Sequence, residues 1–346
     1  MSPRPITIVG GGLAGLALGL ALRAAGVPVT VWEAGIYPRH RVCGEFIRGR
    51  GLGVLRELGL LDALRTEGAG EARTVRFHTR RARSPELRLA VPALVISRHQ
   101  LDARLAAEFR RRGGDLREGT AWREDTAAPG VVRAAGRRPA AVADDGNRWF
   151  GLKAHFRGAA PAADLEMHFA PGGYAGMCRL ADGTVNVCGL FRRRPGAPAA
   201  APGPETLRGP PGSRWHERLA GAELVAGSLC AIAGLSLRPR RAAATGDCAI
   251  GDALTMIPPV TGNGMSMAFE SAALAAEPLA AYSRGDTDWA AARAAVAARC
   301  DARFARRLAW AATVQRLLFL PGGAELLVRG AGRLTPVWRA LERRTA

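Results

Sequence analysis

The spacing of apolar positions changes twice along the chain, and the three stretches so marked off predict three kinds of unit. At the start, Ile6 to Val9 alternates as a short buried strand, a glycine cluster follows, and Leu13 to Ala25 has the apolar spacing of a helix that Gly26 ends. Val27 to Trp32 then reads as a second strand. A strand, a helix and a strand within about thirty residues is the length a parallel crossover needs. Leu52 to Arg65 predicts a helix, and Arg73 to His78 and Leu87 to Val91 predict strands of another sheet. Leu101 to Arg112 predicts a helix that starts near Ser97 and stops at Gly113-Gly114. From about Arg138 to Arg240 the helical period fades. Short alternating segments such as Ala163 to Phe169 and Thr184 to Leu190 stand between Gly and Pro turns, which predicts a mostly antiparallel region. Within it, Arg194 to Pro211 is rich in Pro, Ala and Gly and reads as an exposed loop or lid. After Ala242 the chain returns to strand then helix, and Trp289 to Arg343 keeps a helical period. No internal repeat is visible. The fold class that follows is α/β, with interleaved units.

Composition narrows the picture. At 346 residues and 48% hydrophobic content, the chain can bury one large core or a nucleotide-binding domain with a smaller partner. No apolar run reaches the roughly 18 to 20 residues of a membrane-spanning helix, and no signal peptide is read at the start, so the expected location is cytoplasmic. The six cysteines (Cys43, Cys178, Cys188, Cys230, Cys248, Cys300) show no CxxC pairing and suit reduced thiols. A net charge of +19 raises the question of nucleic acid. The charge is almost all arginine, Lys153 being the only lysine, and the arginine groups Arg80 to Arg83, Arg110 to Arg112 and Arg192 to Arg194 lack interleaved aromatics. They read as solvated surface, and no nucleic-acid partner is expected. The six histidines are not at ligand spacing with cysteines or paired carboxylates, so no metal is expected. No G-x-S-x-G elbow is present.

Gly10, Gly12 and Gly15 form GxGxxG between the first strand and the first helix, and Glu33 ends the second strand. The first glycine allows a tight turn, the second lets the backbone approach a pyrophosphate, and the third permits close helix packing, while the helix N-terminus offers free N–H groups to phosphates. Glu33 suits the two hydroxyls of an adenosine ribose. This unit predicts a dinucleotide without choosing between NAD and FAD.

The other end of the chain makes that choice by resemblance. GDALTMIPPVTGNGMSMAFESAALAAEPL, Gly251 to Leu279, resembles the second FAD motif of the flavoprotein superfamily that contains the geranylgeranyl reductases and the single-component (group-A) aromatic hydroxylases. SRHQLDARL, Ser97 to Leu105, resembles the family's R-x-x-L-D-x-x-L helix start, and YPRHRVCGEF, Tyr37 to Phe46, resembles the P-x-x-K-x-C-G loop of the reductase branch, with Arg41 in the lysine place. The resemblance implies a non-covalent FAD in a glutathione-reductase-type, Rossmann-like domain spanning 1–70, 95–137 and 241–285. A mostly antiparallel β substrate domain at 71–94 with 138–240 and C-terminal helices at 286–346 would complete the chain. It implies cofactor contacts at Leu13, Ala14, Arg41, Cys43, Gly44, Arg98, Ala121, Asp252, Pro259, Gly262, Gly264 and Met265, besides Gly10, Gly12, Gly15 and Glu33. Asp252 would hold the ribityl or pyrophosphate portion, and the earlier pair Gly246-Asp247 is a decoy on this alignment.

Two departures matter. The A-D-G motif of the hydroxylases meets Ala134-Ala135-Gly136-Arg137-Arg138 here, without the Asp; Asp145-Gly146 has the letters but reads as a turn. NAD(P)H stays open as a transient electron donor. The reductases' Y-x-W-x-F-P meets Tyr174-Ala175-Gly176-Met177-Cys178-Arg179, losing the residues that would line an isoprenoid tunnel. The second departure favours a monooxygenase acting on a small lipophilic aromatic or polyketide-type molecule. A reductase of prenyl double bonds and a non-catalytic flavin-binding protein are the alternatives. Catalytic candidates are Cys43, Glu45, His155 and Tyr174. Three of them have a plainer reading: Cys43 as a small buried hydrophobe, Glu45 as a turn cap, His155 as a strand histidine held by a backbone carbonyl. Phe304 to Leu320 is apolar on one face and carries Arg303, Arg306, Arg307 and Arg316 on the other, which fits either peripheral contact with a membrane or packing over its own domain.

Overall fold

The computed structural model describes residues 2–137, 148–193 and 203–333. Along the chain run β1 (Ile6–Val9), α1 (Leu13–Ala24), β2 (Val29–Glu33), β3 (Phe46–Ile47), α2 (Arg50–Glu57), α3 (Leu61–Thr66), β4 (Gly70–His78), β5 (Leu87–Val95), α4 (Arg98–Arg111), β6 (Asp115–Glu118) and β7 (Val131–Arg133). There follow β8 (Arg148–Arg157), β9 (Leu165–Ala170), β10 (Gly173–Arg179), β11 (Val185–Arg193), α5 (Arg214–Arg218), β12 (Glu223–Leu224), β13 (Cys230–Ala233) and β14 (Cys248–Ala249). The helices α6 (Gly264–Arg284), α7 (Trp289–Leu318) and α8 (Gly323–Arg333) complete it.

The first sheet is parallel, in the order β14-β7-β1-β2-β6. Helix α1 is apolar nearly all round, as a helix covered on every side must be, and it packs between α4 and α6. Those contacts make one core of Leu16, Leu18, Leu20, Phe109, Phe269 and Leu279. The second sheet runs β12-β8-β11-β10-β9-β4-β5-β3, with β13 also on β8, and is antiparallel except where β4 meets β9.

Because side chains alternate across a strand, the register sorts this second sheet into two faces. Trp149, Gly151, Lys153 and His155 of β8 lie opposite Arg192, Leu190, Cys188 and Asn186 of β11, and Tyr174, Gly176 and Cys178 of β10 continue that inner face. Leu152, Ala154, Phe156, Ala175, Met177, Val185 and Val187 form the outer face and pack against Leu207, Trp215, Leu219 and Ala222.

Several expectations change. The single helix at Leu52 to Arg65 is two, α2 and α3, because Gly59 takes a φ of +71° between them. The expected loop at Arg194 to Pro211 lies in part outside the described residues (194–202). Its remainder holds a 3-10 turn, Pro204–Arg208, and is not wholly exposed: Leu207 is buried and its carbonyl accepts from Trp215 Nε1 at 2.7 Å. The C-terminal helical stretch breaks at Pro321-Gly322 into α7 and α8, and 334–343 lies outside the described residues. On α7, Phe304, Leu308 and Ala311 are buried in the first core, so that apolar face packs over its own domain. Arg307 leaves the polar face and is buried against Glu270 at 2.6 Å. No helix of the described residues is long and apolar enough to cross a membrane.

Candidate active site

At the nucleotide end, Gly10 has a φ of +111°, and a Cβ there would stand 2.5 Å from the Ala134 backbone, so β1 can turn into α1 beside β7 only with glycine. Glu33, buried at the end of β2, accepts from Gly11 N and Gly35 N at 2.9 Å each, and Arg39 stands 2.6 Å from its Oε2. Burial pushes this carboxyl up, but the Arg39 hydrogen bond and its neighbours outweigh that and hold it below the usual range. Arg41 reaches Glu33 at 3.8 Å, and Tyr37 donates to Gly11 O. Gly12 caps α1 with no side-chain bond, and no atom lies within 4 Å of where its Cβ would be. The first-turn N–H groups of α1, from Leu13, thus stand beside open space at Gly12, where the helix N-terminus favours phosphate oxygens. Gly15 packs on Gly10, and Ala121 is exposed just beyond Thr120, whose N–H donates to Glu33 O.

The second end is built where α6 begins. Gly251 packs on Ala14 of α1 and donates to Ser271 Oγ at 2.9 Å, which brings Asp252 alongside the glycine turn. Burial raises the Asp252 carboxyl against the pull of Arg137 and Arg98. Pro259 opens a 3-10 turn that ends at Gly262, whose φ is +64°, and the Phe46 ring fills the space a side chain there would need. Arg48 Nε donates to Asn263 Oδ1 at 3.3 Å. These contacts fasten the Cys43–Gly44–Glu45 loop to the N-terminus of α6, where Met265 is buried and Gly264 leaves open space. Arg98, the first residue of α4, forks onto Asp102 at 2.7 and 2.8 Å and lies against Cys43, whose thiol burial pushes up. The decoy Asp247 pairs instead with Arg133.

A polar cluster lies behind that loop on the inner face. Glu45 and Lys153 are both fully buried, with Lys153 Nζ 3.2 Å from Glu45 Oε1 and 2.9 Å from His40 Nδ1. Glu45 Oε2 stands 2.7 Å from His155 Nε2, and Oε1 accepts from Arg98 N at 2.9 Å. His155 is thus held by a carboxylate and not by a backbone carbonyl, and Glu45 is no simple turn cap. Glu45 is also the non-glycine residue at positive φ (+62°) among those described. Such a conformation costs on the order of 1 kcal/mol or more and persists where surrounding contacts over-determine it.

Farther along the same face, Trp149, Tyr174, Leu190, Leu235 and Met256 form an apolar cluster with Phe169, Val260 and Phe319 around it. Its polar pair is Tyr174 OH donating to Gln315 Oε1 at 3.2 Å; Gln315 Nε2 is buried without a partner. Burial holds the Tyr174 phenol well above its ordinary value.

On the outer face, His78, Glu166 and His168 assemble, with Arg218 Nε 3.2 Å from Glu166. Both this group and His40, Glu45 and His155 bring ligand-type atoms within 4.8 Å of one another, which spacing along the chain did not show. The Glu166-x-His168 repeat on one strand was the available signal. The His78 and His168 rings are stacked, 11° apart, so their in-plane lone pairs run parallel and do not converge on one ion. In the other group Lys153 already fills the cation position. Lys153, His40, Arg39, Arg137 and Gln315 were not read as site residues from sequence. Only Lys153 carried a signal, as the sole lysine.

Residues 4–140 match the FAD binding domain family. No curated protein matches the chain in sequence. Among solved structures, a geranylgeranyl bacteriochlorophyll reductase-like protein from Thermoplasma acidophilum aligns with a TM-score of 0.75 at 18% identity, over 96% of this chain and 92% of its own. The flavin-dependent brominase Bmp2 aligns at 0.74 and 17% identity, over 99% and 94%. PqsL, a probable FAD-dependent monooxygenase from Pseudomonas aeruginosa, aligns at 0.69 and 17% identity, over 93% and 99%. At such identities the likeness is one of fold. The matched stretch makes residues 4–140 an FAD-binding domain. The open space at Gly12, the buried Glu33 carboxylate and the free N-terminus of α6 fit that cofactor.

Proposed function

We propose that the protein is a monooxygenase that hydroxylates a small lipophilic aromatic molecule bearing one oxygen substituent. The observation that carries this reading is the continuity of two sites: the loop between Asp252 and Gly262 sends Met256 and Val260 into the aromatic cluster of the inner face. Substrate held there would lie at the flavin end of the cofactor groove. Trp149, Phe169, Tyr174 and Phe319 offer aromatic faces and edges to a ring. The unpartnered Gln315 Nε2 offers one donor to a phenol or carbonyl oxygen, since a buried donor gains most when it is matched. Tyr174 then orients Gln315, and the apolar walls exclude water. Bound FAD would supply the electrons and the reaction with O2, with Glu33, Asp252, Arg98 and the two helix N-termini holding it. Arg192 lies over the Trp149 and Phe319 rings and Arg137 reaches Met256 Sδ, so the cluster carries charge at its edge, which weighs against the alternative of a prenyl double-bond reductase.

The test is to supply FAD-loaded protein with NADH, NADPH or photoreduction and a panel of alkyl phenols and resorcinols under 18O2. Incorporation of labelled oxygen into product supports the proposal. Saturation of a prenyl chain by anaerobic reduced enzyme, with no labelled product, defeats it. Gln315→Leu is expected to raise KM for a phenolic substrate roughly tenfold or more, the worth of about 1.5–3 kcal/mol for an unmatched buried polar contact.

A further inference from the structure

We propose that His40, Lys153, Glu45 and His155 form a proton path that joins an open cavity at the surface to the flavin side of the inner face. The proposal rests on the flavin reading above. A cavity of about 160 Å³ is lined by His40, His99, His155, Ser97 and Gln100 among others. One water needs roughly 10–15 Å³ of such space, so the cavity admits several. His40 and His155 themselves line it, and from them the polar groups run inward: His40 Nδ1 is 2.9 Å from Lys153 Nζ, Lys153 is 3.2 Å from Glu45 Oε1, and His155 Nε2 is 2.7 Å from Glu45 Oε2. At the inner end, Glu45 is two residues from Cys43 and takes a hydrogen bond from Arg98 N, at the loop pinned to the N-terminus of α6.

Three features set this cluster apart from a stabilising ion pair. A buried pair seldom adds stability over apolar residues of the same volume. Glu45 holds a left-handed backbone that a structural carboxylate does not need. And in a chain with 48 arginines, the lone lysine stands here, its ammonium shared between Glu45 and His40. The groups that face Lys153 are Glu45, His40, His155, Cys188 of β11 and Cys230 of β13, with Arg41 acting across Cys230 and His99 beyond His40. Burial, then the Lys153, His155 and His99 charges, bring His40 down to about 4, so it is neutral and able to accept at ordinary pH. The proton carried balances reoxidation without substrate: anionic reduced flavin, O2 and one proton give oxidised flavin and hydrogen peroxide, both electrons passing to O2.

Photoreduced, FAD-loaded protein is mixed with O2 and its reoxidation followed across pH. In Glu45→Gln and Lys153→Arg, which keep volume or charge but break the transfer, reoxidation is expected to slow by about 10²-fold, the low end of acid–base contributions. In His40→Ala it slows and imidazole restores it through the cavity. Wild-type rates in the two flavin-holding variants overturn the proposal, because a merely structural Lys153 would be replaced by arginine. A second readout needs no turnover. Protein labelled with 13C,15N-lysine gives one side-chain signal, from Lys153, expected to move in FAD-free His40→Ala, which removes its 2.9 Å partner, and to move on flavin reduction. A signal indifferent to both overturns the path even where a variant fails to fold. A wild type that stays colourless with FAD defeats the flavin reading instead, and the lysine signal in His40→Ala then decides for or against the cluster.

Discussion

The two faces of the second sheet carry two clusters of the same residue types, a glutamate between histidines, arranged to opposite ends. On the outer face Glu166 is closed on all sides: Ala162 N donates to it at 2.7 Å, His168 lies at 2.9 Å and Arg218 at 3.2 Å, and α5 covers the group with Trp215. Burial raises its carboxyl, but the His168 and His78 bonds outweigh that and hold it far below the ordinary range. On the inner face Glu45 sits in strained backbone, shares its charge with a lysine, and its histidines open onto a cavity. The same residue types thus make a clasp where Ala162, His168 and Arg218 hold the carboxylate under a cover, and the proposed proton path where a lysine and a cavity adjoin it.

Breaking the clasp should give the largest effect on stability. Glu166→Ala leaves Arg218 and two histidines without their partner and is expected to cost roughly 3–5 kcal/mol in urea unfolding, with FAD absorbance per folded molecule unchanged. A loss of under about 1 kcal/mol would make the outer cluster no clasp. Glu45→Gln keeps the hydrogen-bonding shape and is expected to cost less, about 1–3 kcal/mol, while slowing reoxidation; the reverse order of the two costs would dissolve the contrast between faces. Ser97→Ala, which removes the side chain that accepts Gln100 N at the start of α4, is expected to cost about 1 kcal/mol and to weaken FAD as Arg98 loosens, both by equilibrium titration.

The smallest effect is on pH dependence. An unfolded histidine titrates near 6.5, whereas folded His40 takes its proton only near 4. Between those values the unfolded chain binds more protons, so stability falls as pH drops through that window and is unaffected above it. Glu45 and Glu166, held below the usual carboxylate range, add a loss in the same direction below about 4.5. His40→Gln should flatten the upper part of the melting-temperature profile, and an unchanged profile would remove His40 from the account.

Much of the cofactor domain was legible in one dimension. The turn at Gly10, the acid at Glu33 and the strand-helix-strand spacing are local, and each has a mechanical meaning that the fold keeps. The helix start at Ser97 was also local, since the cap is a contact three residues long. The inner cluster was not legible. Glu45 and His155 are 110 positions apart and meet because β8 lies across the sheet from the loop before β3. Their roles depend on register, which one residue of slip would turn to the other face.

Sequence alone determined that a phosphate-binding turn exists, that an acid follows it, and that the chain holds a single lysine. These are properties of residue type and short spacing. Which face of the second sheet each histidine joins, that Arg137 stands by Asp252, and that Met256 and Val260 link cofactor loop to aromatic cluster were decided only by the tertiary structure. Contacts between distant segments follow from strand order and packing, and no local pattern of side chains encodes either.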